Sequence, residues 1–116
     1  MTKNYGQLIS DKRIITLKDT IGTIGRHPDN TYVLENPSIS KYHCIVEFQD
    51  NDASITDKGS THGVFVNQNK LPHNIKFTIK SGDTIVLGKD TEVYKFINFV
   101  KPLKNERIQS EDSKQS

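Results

Sequence analysis

Three short polar segments carry side chains that together suit the binding of an anion. Arg26 offers a guanidinium group and Lys41 an ammonium group, while Ser40 and Thr61 add two hydroxyl groups. A guanidinium can donate two parallel N–H bonds to one phosphoryl group, and such charge-assisted bonds are short and strong. Glycines beside these residues let backbone N–H groups approach a ligand closely. The inventory predicts a phosphate-binding site and does not suit a bond-breaking reaction.

Short strands are predicted to hold these segments. Runs rich in β-branched residues alternate with polar turn signals along the chain, and no stretch keeps a 3.6-residue period. The clearest buried strand is residues 44–48, directly after the segment with Ser40. Residues 67–70 are predicted to form a turn, and residues 71–78 have a broken pattern that resolves into neither one strand nor two. The spacing of strands and turns indicates an all-β sandwich.

The domain organisation follows from a change in composition near residue 100. A chain of 116 residues is close to the commonest size of a single domain. From Lys101 onward, the only apolar residues are Leu103 and Ile108. We therefore expect one domain at 1–100 and a disordered polar tail or linker at 101–116.

Charge and hydropathy argue against several classes of protein. The formal net charge is only +2 and no basic run of five residues occurs, so we do not expect direct binding to nucleic acid. No apolar run approaches the roughly 18 to 20 residues of a transmembrane helix, so we expect no membrane partner. The first residues lack the apolar segment of a secretory signal. A single cysteine, Cys44, suits a reducing compartment. These features predict an intracellular protein.

The residue types do not suggest catalysis or a metal centre. No base stands near a nucleophile in a recognisable spacing, and no glycine-rich loop leads into a helix. The four histidines lack the short paired spacing of zinc ligands; they are His27, His43, His62 and His73. Cys44 lies inside an apolar strand, where an inert buried thiol is expected. We therefore expect no enzyme activity, no metal and no cofactor.

Four motifs in a fixed order resemble the forkhead-associated (FHA) domain. They are Gly25-Arg26, Ser40-Lys41-Tyr42-His43, residues 59–67 and residues 81–88. The resemblance extends over about residues 5–100. It implies a sandwich of two twisted antiparallel sheets with about ten or eleven short strands. It also implies binding loops at one end and recognition of phosphothreonine in a partner protein.

The resemblance implies a role for each residue of the predicted site. At these positions, the family's arginine (Arg26) contacts the phosphate, and Thr61 touches the phosphate or the residue that bears it. Ser40 can donate its hydroxyl to a phosphate oxygen, and we expect its backbone N–H to add a second contact. Lys41 supplies a point charge to the same oxygens. These four residues form the predicted phosphate contacts.

His62 is the main departure from the family pattern. Most members have asparagine here, and its amide holds the peptide backbone on either side of the phosphoresidue. A neutral imidazole has one donor and one acceptor in a different geometry, so only part of this grip is expected from His62. Three neighbours are expected to support the site structurally. These are Gly25, which bends the chain before the arginine, His43, which braces the loop of Ser40, and Gly63, which fits a turn with φ > 0.

Two finer expectations come from residues 37–43. This segment is similar to the loop of mediator of DNA damage checkpoint proteins, which implies a nuclear signalling scaffold in the DNA damage response, with dimerisation through the FHA domain. Selection of the third residue after phosphothreonine often involves the position of Ser38 in the family. Because Ser38 is neutral, no strict demand for an acidic residue is expected there.

A second function stays open beside phosphopeptide binding. The departure at His62 is also compatible with a degenerate FHA scaffold. Such a scaffold would pack against proteins without phosphate, for example by homodimerisation.

Overall fold

The computed structural model describes residues 3–89 and 91–100, and every regular element in that part of the chain is a β-strand. The predicted polar tail at 101–116 lies outside the described residues. The strands are β1 (Gly6–Ile9), β2 (Ile14–Leu17), β3 (Ile21–Gly25), β4 (Tyr32–Val33), β5 (Cys44–Gln49), β6 (Asp52–Asp57), β7 (Val64–Val66), β8 (Asn69–Lys70), β9 (Phe77–Ile79), β10 (Thr84–Leu87) and β11 (Val93–Asn98).

The strands form two sheets, which confirms the predicted all-β sandwich. A six-stranded sheet has the order β2-β1-β11-β10-β7-β8, and a five-stranded sheet has the order β4-β3-β5-β6-β9. Pairing within both sheets is antiparallel except between β3 and β4, where Ile24 pairs with Tyr32 in parallel. The connection at residues 26–31 returns the chain so that both strands run in the same direction, which a hairpin does not do.

The core lies between the inner faces of the two sheets. Alternation is clear in β5 and β11, where every second side chain is buried. Phe96 is fully buried and its ring centroid lies 6.2 Å from that of Phe48 on the other sheet. Cys44 is also buried, and burial raises the pKa of its thiol, as expected for an unreactive cysteine.

Two tight hairpins explain how so many strands fit into a short chain. Gln49 pairs with Asp52 across a two-residue turn in which Asp50 and Asn51 have φ of 54° and 70°. The β7–β8 hairpin repeats this arrangement, with φ of 50° and 72° at residues 67 and 68. Positive φ at both central residues is typical of the type I′ turn, whose twist matches that of the strands.

The second hairpin corrects the prediction for residues 67–70. Only residues 67 and 68 form the turn, and Asn69–Lys70 is a strand of two exposed residues at the edge of its sheet. Its polar composition gives no strand signal. The strand is recognised only by its pairing with β7. In residues 71–78, whose sequence pattern resolves into neither one strand nor two, one short strand begins near the end, at Phe77.

Hydrogen bonds gather four loops at one end of the sandwich. The N–H of Arg26 donates to the Ser40 carbonyl at 3.0 Å, which joins the loop after β3 to the loop before β5. The N–H of Gly88 donates to the Gly63 carbonyl at 2.9 Å, which joins the loop after β10 to the loop before β7. The predicted location of the loops at one end is therefore confirmed. Within the described residues, no helix is long and apolar enough to cross a membrane.

The buried ring of Phe96 provides a test of this core. Phe96→Ala removes a fully buried aromatic side chain and leaves a cavity, so we expect it to lower the unfolding free energy by about 3–5 kcal/mol. Phe99→Ala is the matched control because Phe99 is 46% exposed; we expect a loss below about 1 kcal/mol. Urea denaturation of both variants measures the difference, and equal losses would contradict the packing described here.

Candidate functional site

His43 connects two loops through its ring. The imidazole is fully buried; Nδ1 accepts a hydrogen bond from the Ser40 N–H at 3.0 Å, and Nε2 lies 2.8 Å from the Gly63 carbonyl oxygen. Since a carbonyl only accepts, Nε2 must carry the proton and donate it. Both ring nitrogens are thus engaged by the neutral tautomer, and the loop of Ser40 is fixed to the start of β7.

Burial favours the neutral form of this histidine. It lowers the pKa of His43 below the ordinary value, although the Gly63 carbonyl and the charge of Asp57 act in the opposite direction. Protonation at Nδ1 would remove the acceptor for the Ser40 N–H. The neutral state is therefore the one that holds the loop.

Ser40 presents its hydroxyl differently from the sequence-based expectation. Its Oγ accepts a hydrogen bond from the Thr61 N–H at 3.0 Å, which brings two of the predicted site residues together. Its backbone N–H is occupied by His43, so the expected second contact from that N–H to a ligand is wrong. The hydroxyl proton of Ser40 stays available for donation.

Arg26 is held at two points while its terminal nitrogens stay unpaired. Its backbone N–H donates to the Ser40 carbonyl, and its Nε donates to the Ile39 carbonyl at 3.0 Å. The side chain is exposed, and its terminal nitrogens make no hydrogen bond or ion pair within the described part of the chain. The guanidinium is therefore oriented beside Ser40 with its outer N–H groups free.

Gly25 is required by the close approach of two backbones. A Cβ at this position would overlap the carbonyl oxygen of Lys41. Gly25 is therefore needed for this close approach, and it is not among the glycines with positive φ. Asn30 strengthens the same contact, because its Nδ2 donates to the Lys41 carbonyl at 2.7 Å and to the His27 carbonyl at 2.8 Å.

A buried carboxylate organises the loop that carries Thr61. Asp57 is fully buried, and its Oδ1 accepts hydrogen bonds from the N–H groups of Gly59 at 2.9 Å and Ser60 at 2.8 Å. The Ser60 hydroxyl donates to Asp57 Oδ2 and accepts from the Gly63 N–H, both at 2.9 Å. Gly63 has φ of +95°, in agreement with the expected turn. Sequence reasoning missed Asp57 and Ser60, although an aspartate whose side chain can bond to the backbone two residues on is a known turn signal.

The remaining predicted contact residues lie at the surface. Lys41, Thr61 and His62 are exposed, and their side chains make no hydrogen bond or ion pair within residues 3–89 and 91–100. With Arg26 and Ser40 they belong to loops that hydrogen bonds join at one end of the sandwich. The structure therefore brings together two cations, two hydroxyl groups and an imidazole around the same loops.

Ser38 is used inside the protein. Its Oγ lies 2.8 Å from the Lys89 carbonyl oxygen and accepts a hydrogen bond from the Lys89 N–H at 3.1 Å. Gly88 allows this contact, since a Cβ there would stand 2.8 Å from the Ser38 carbonyl oxygen. The residue therefore ties the loop of Ser40 to the loop after β10.

Residues that could ligate a metal are dispersed in the described part of the chain, where no group of three or more His, Cys, Asp or Glu could hold an ion. Two histidines lie near a carboxylate: His27 Nδ1 is 3.6 Å from Asp29 Oδ2, and His73 Nε2 is 3.8 Å from Asp57 Oδ2.

The state of His43 predicts a pH dependence of stability. The unfolded chain protonates this imidazole near its ordinary pKa of about 6.5, and the folded chain does so at lower pH. Between the two values the unfolded state binds more protons, so stability rises with pH. The contribution of His43 is complete above about pH 6.5 and decreases as the pH falls toward the folded pKa.

Chemical denaturation at several pH values between 5 and 8 measures this effect. We expect the decrease to be smaller in His43→Asn, which cannot titrate, and to persist in His62→Asn, whose ring is exposed. An identical pH profile for the parent protein and His43→Asn would contradict the assignment.

The sequence profile of the FHA domain matches residues 22–88 of this chain. The uncharacterized protein ZK632.2 of Caenorhabditis elegans is 34% identical over 106 residues, which cover 84% of this chain and 14% of that protein. The glycogen accumulation regulator GarA of Mycobacterium tuberculosis is 29% identical over 73 residues, which cover 63% of this chain and 43% of that protein. The chain thus spans less than half the length of either relative.

Solved structures share the fold. The N-terminal FHA domain of Saccharomyces cerevisiae Rad53p, in complex with a phosphothreonine peptide, has a TM-score of 0.70 and 20% identity, with coverage of 81% of this chain and 93% of that one. FHA domains are interaction modules, which agrees with the expectation that the chain is not an enzyme. The profile match covers more than half of the chain and includes the loops of Arg26, Ser40 and Thr61. The chain therefore belongs to the FHA domain family.

Proposed function

We propose that this domain binds phosphothreonine in a segment of a partner protein. The observation that carries the proposal is the orientation of Arg26, whose Nε is held by the Ile39 carbonyl while its terminal nitrogens stay unpaired beside Ser40. A guanidinium fixed in this way can place two parallel N–H bonds on one phosphoryl group. Four other polar residues on the neighbouring loops are exposed or half-exposed; they are Ser40, Lys41, Thr61 and His62.

The phosphate receives donors from several loops in this proposal. Arg26 supplies its terminal nitrogens, Ser40 and Thr61 their hydroxyl groups, and Lys41 its ammonium. Each hydrogen bond to a charged group contributes about 1.5–3 kcal/mol net. Three or four such bonds would account for a binding free energy near 8 kcal/mol, or roughly micromolar affinity.

The fixed loops reduce the entropic cost of binding. His43 holds the loop of Ser40 to Gly63, and Asp57 holds the loop of Thr61 through three hydrogen bonds. Donors that are already in place lose little conformational freedom when a ligand arrives. The buried network therefore supports phosphate binding, although none of its members touches the ligand.

The comparisons support phosphopeptide recognition in general. The Rad53p domain was solved with a phosphothreonine peptide, and EmbR of Mycobacterium tuberculosis was solved with a low-affinity phosphopeptide. A nuclear role in the DNA damage response rests on the resemblance of residues 37–43 and stays a prediction, as does homodimerisation. GarA, a regulator of glycogen accumulation, shows that relatives serve other processes.

The central prediction is that binding requires both the phosphate and Arg26. We expect capture of peptides from a degenerate phosphothreonine library, and no capture from the unphosphorylated library; a phosphoserine library measures the preference for threonine. Arg26→Ala should weaken binding of a selected peptide about 10- to 100-fold, since it removes the bidentate donor. Arg26→Lys keeps the charge but loses the contact with Ile39, so an intermediate loss is expected. Fluorescence polarisation measures these affinities.

Lys80→Ala is the control for general loss of positive charge. Lys80 precedes β10 and lies at the end of that strand opposite Gly88, so its removal should leave affinity unchanged. Capture that ignores the phosphate and the Arg26 substitution would overturn the proposal and favour the degenerate scaffold. Sedimentation of the same protein would then show whether that scaffold dimerises.

A separate prediction concerns the exposed ring of His62. If the imidazole holds part of the peptide backbone, His62→Ala should weaken binding of a phosphothreonine peptide about 3- to 10-fold, the effect of one hydrogen bond. His62→Asn restores two donors and an acceptor, so its affinity should equal or exceed that of the parent protein. Equal affinity of the parent protein and His62→Ala would show that the ring does not contact the peptide.

A further inference from the structure

Lys70 lies across the loop that carries His62. It belongs to β8, at the edge of the six-stranded sheet, and pairs with Phe65 of β7. Its side chain runs from this pair toward the end of the sandwich where the loops gather. A Cβ added to Gly63 would stand 2.9 Å from Cε of Lys70 and 3.5 Å from its Cγ. The aliphatic stem therefore covers Gly63, directly after His62.

Gly63 is a rigid support for this stem. Its N–H donates to the Ser60 hydroxyl at 2.9 Å, and its carbonyl oxygen accepts hydrogen bonds from His43 and from the Gly88 N–H. The missing side chain at this glycine leaves the space that the stem of Lys70 occupies. Long basic side chains commonly lay their carbon atoms on a surface and leave the charged group in water.

The ammonium group of Lys70 has no anionic partner in the described part of the chain. Ion pairs there include Lys76 with Glu47 and Arg13 with Glu92, and Lys70 takes part in none. Asp57, the buried carboxylate of this loop, is occupied by Gly59 and Ser60. A positive charge is thus held at the rim of the proposed site without neutralisation.

We propose that Lys70 determines specificity by pairing with an acidic side chain that flanks the phosphothreonine. This inference rests on the proposed function. The phosphate donors lie on the side of the loop where the Thr61 N–H contacts Ser40 Oγ. Lys70 covers Gly63, which lies two residues after Thr61. It also pairs with Phe65, whose side chain points away from the core. A peptide that extends from Ser40 across His62 therefore reaches Lys70 with a neighbouring residue and not with its phosphate.

The expected effect is modest because the pair is exposed to water. An exposed ion pair of this kind changes an affinity about two- to fivefold. Lys70 would therefore select among phosphopeptides and would not decide whether a phosphopeptide binds. This distinguishes it from Arg26, whose loss affects every ligand.

The test uses pairs of phosphothreonine peptides that differ only by Glu or Gln at one position, taken in turn on each side of the phosphothreonine. At one or more positions the parent protein should prefer Glu about two- to fivefold. Lys70→Gln should remove that preference while the Gln peptide binds as before. Lys70→Glu should reverse it, so that the Gln peptide binds better than the Glu peptide. Lys80→Gln removes an equal charge at the opposite end and should leave the preference intact.

The outcomes separate this inference from the proposed function. The inference would be overturned if binding depends on the phosphate but the parent protein shows no preference for Glu, or if Lys70→Gln leaves that preference unchanged. Phosphothreonine binding would stay in place in either case. An equal loss for the Glu and Gln peptides in Lys70→Gln would assign Lys70 to the phosphate and also overturn it. Absence of phosphate-dependent binding in the parent protein would overturn both. Increasing salt should weaken the preference, since exposed charges are screened.

Discussion

The two hydrogen bonds of the His43 ring are the interaction on which the rest of the site depends. One bond holds the Ser40 N–H and the other holds the Gly63 carbonyl, so a single buried imidazole fixes two loops relative to each other. A buried polar group that loses its partner costs about 1–3 kcal/mol. The ring therefore stabilises the loops only while both partners stay in place, which makes the loop geometry a property of the core and not of the surface.

A second set of contacts positions Arg26 beside the loop of Ser40, which His43 holds. Gly25 lets the backbone of β3 approach Lys41, and Asn30 closes this contact from the side. Asp57 holds the loop of Thr61 by accepting hydrogen bonds from two of its backbone N–H groups. The exposed side chains that face a ligand are few, whereas the buried polar groups that hold them form a connected network. Such networks are most stable when all their polar atoms are satisfied, and among the buried side-chain polar atoms of the described residues Asn30 Oδ1 is the one without a hydrogen-bond partner.

The sequence predicts the sandwich because short apolar alternations need no tertiary information to be recognised. It also predicts which loops meet, since their motifs match a family whose profile covers them. Three features could not be obtained in this way. The strand at Asn69–Lys70 has no intrinsic strand signal, the Ser40 N–H is taken by a residue three positions away, and Gly25 is needed for a close contact and not for its φ. Each depends on a contact that is visible only in the folded chain.

The loops that meet in the site come from different sheets. Arg26 and Ser40 follow or precede strands of the five-stranded sheet, whereas Gly63 leads into β7 of the six-stranded sheet. A ligand that touches both groups spans the seam of the sandwich, so its affinity depends on how the two layers are aligned. Substitutions deep between the layers can then shift that alignment and weaken recognition from a distance. The packing of the hydrophobic interior therefore helps to set the distance between the two groups of loops that a ligand would contact.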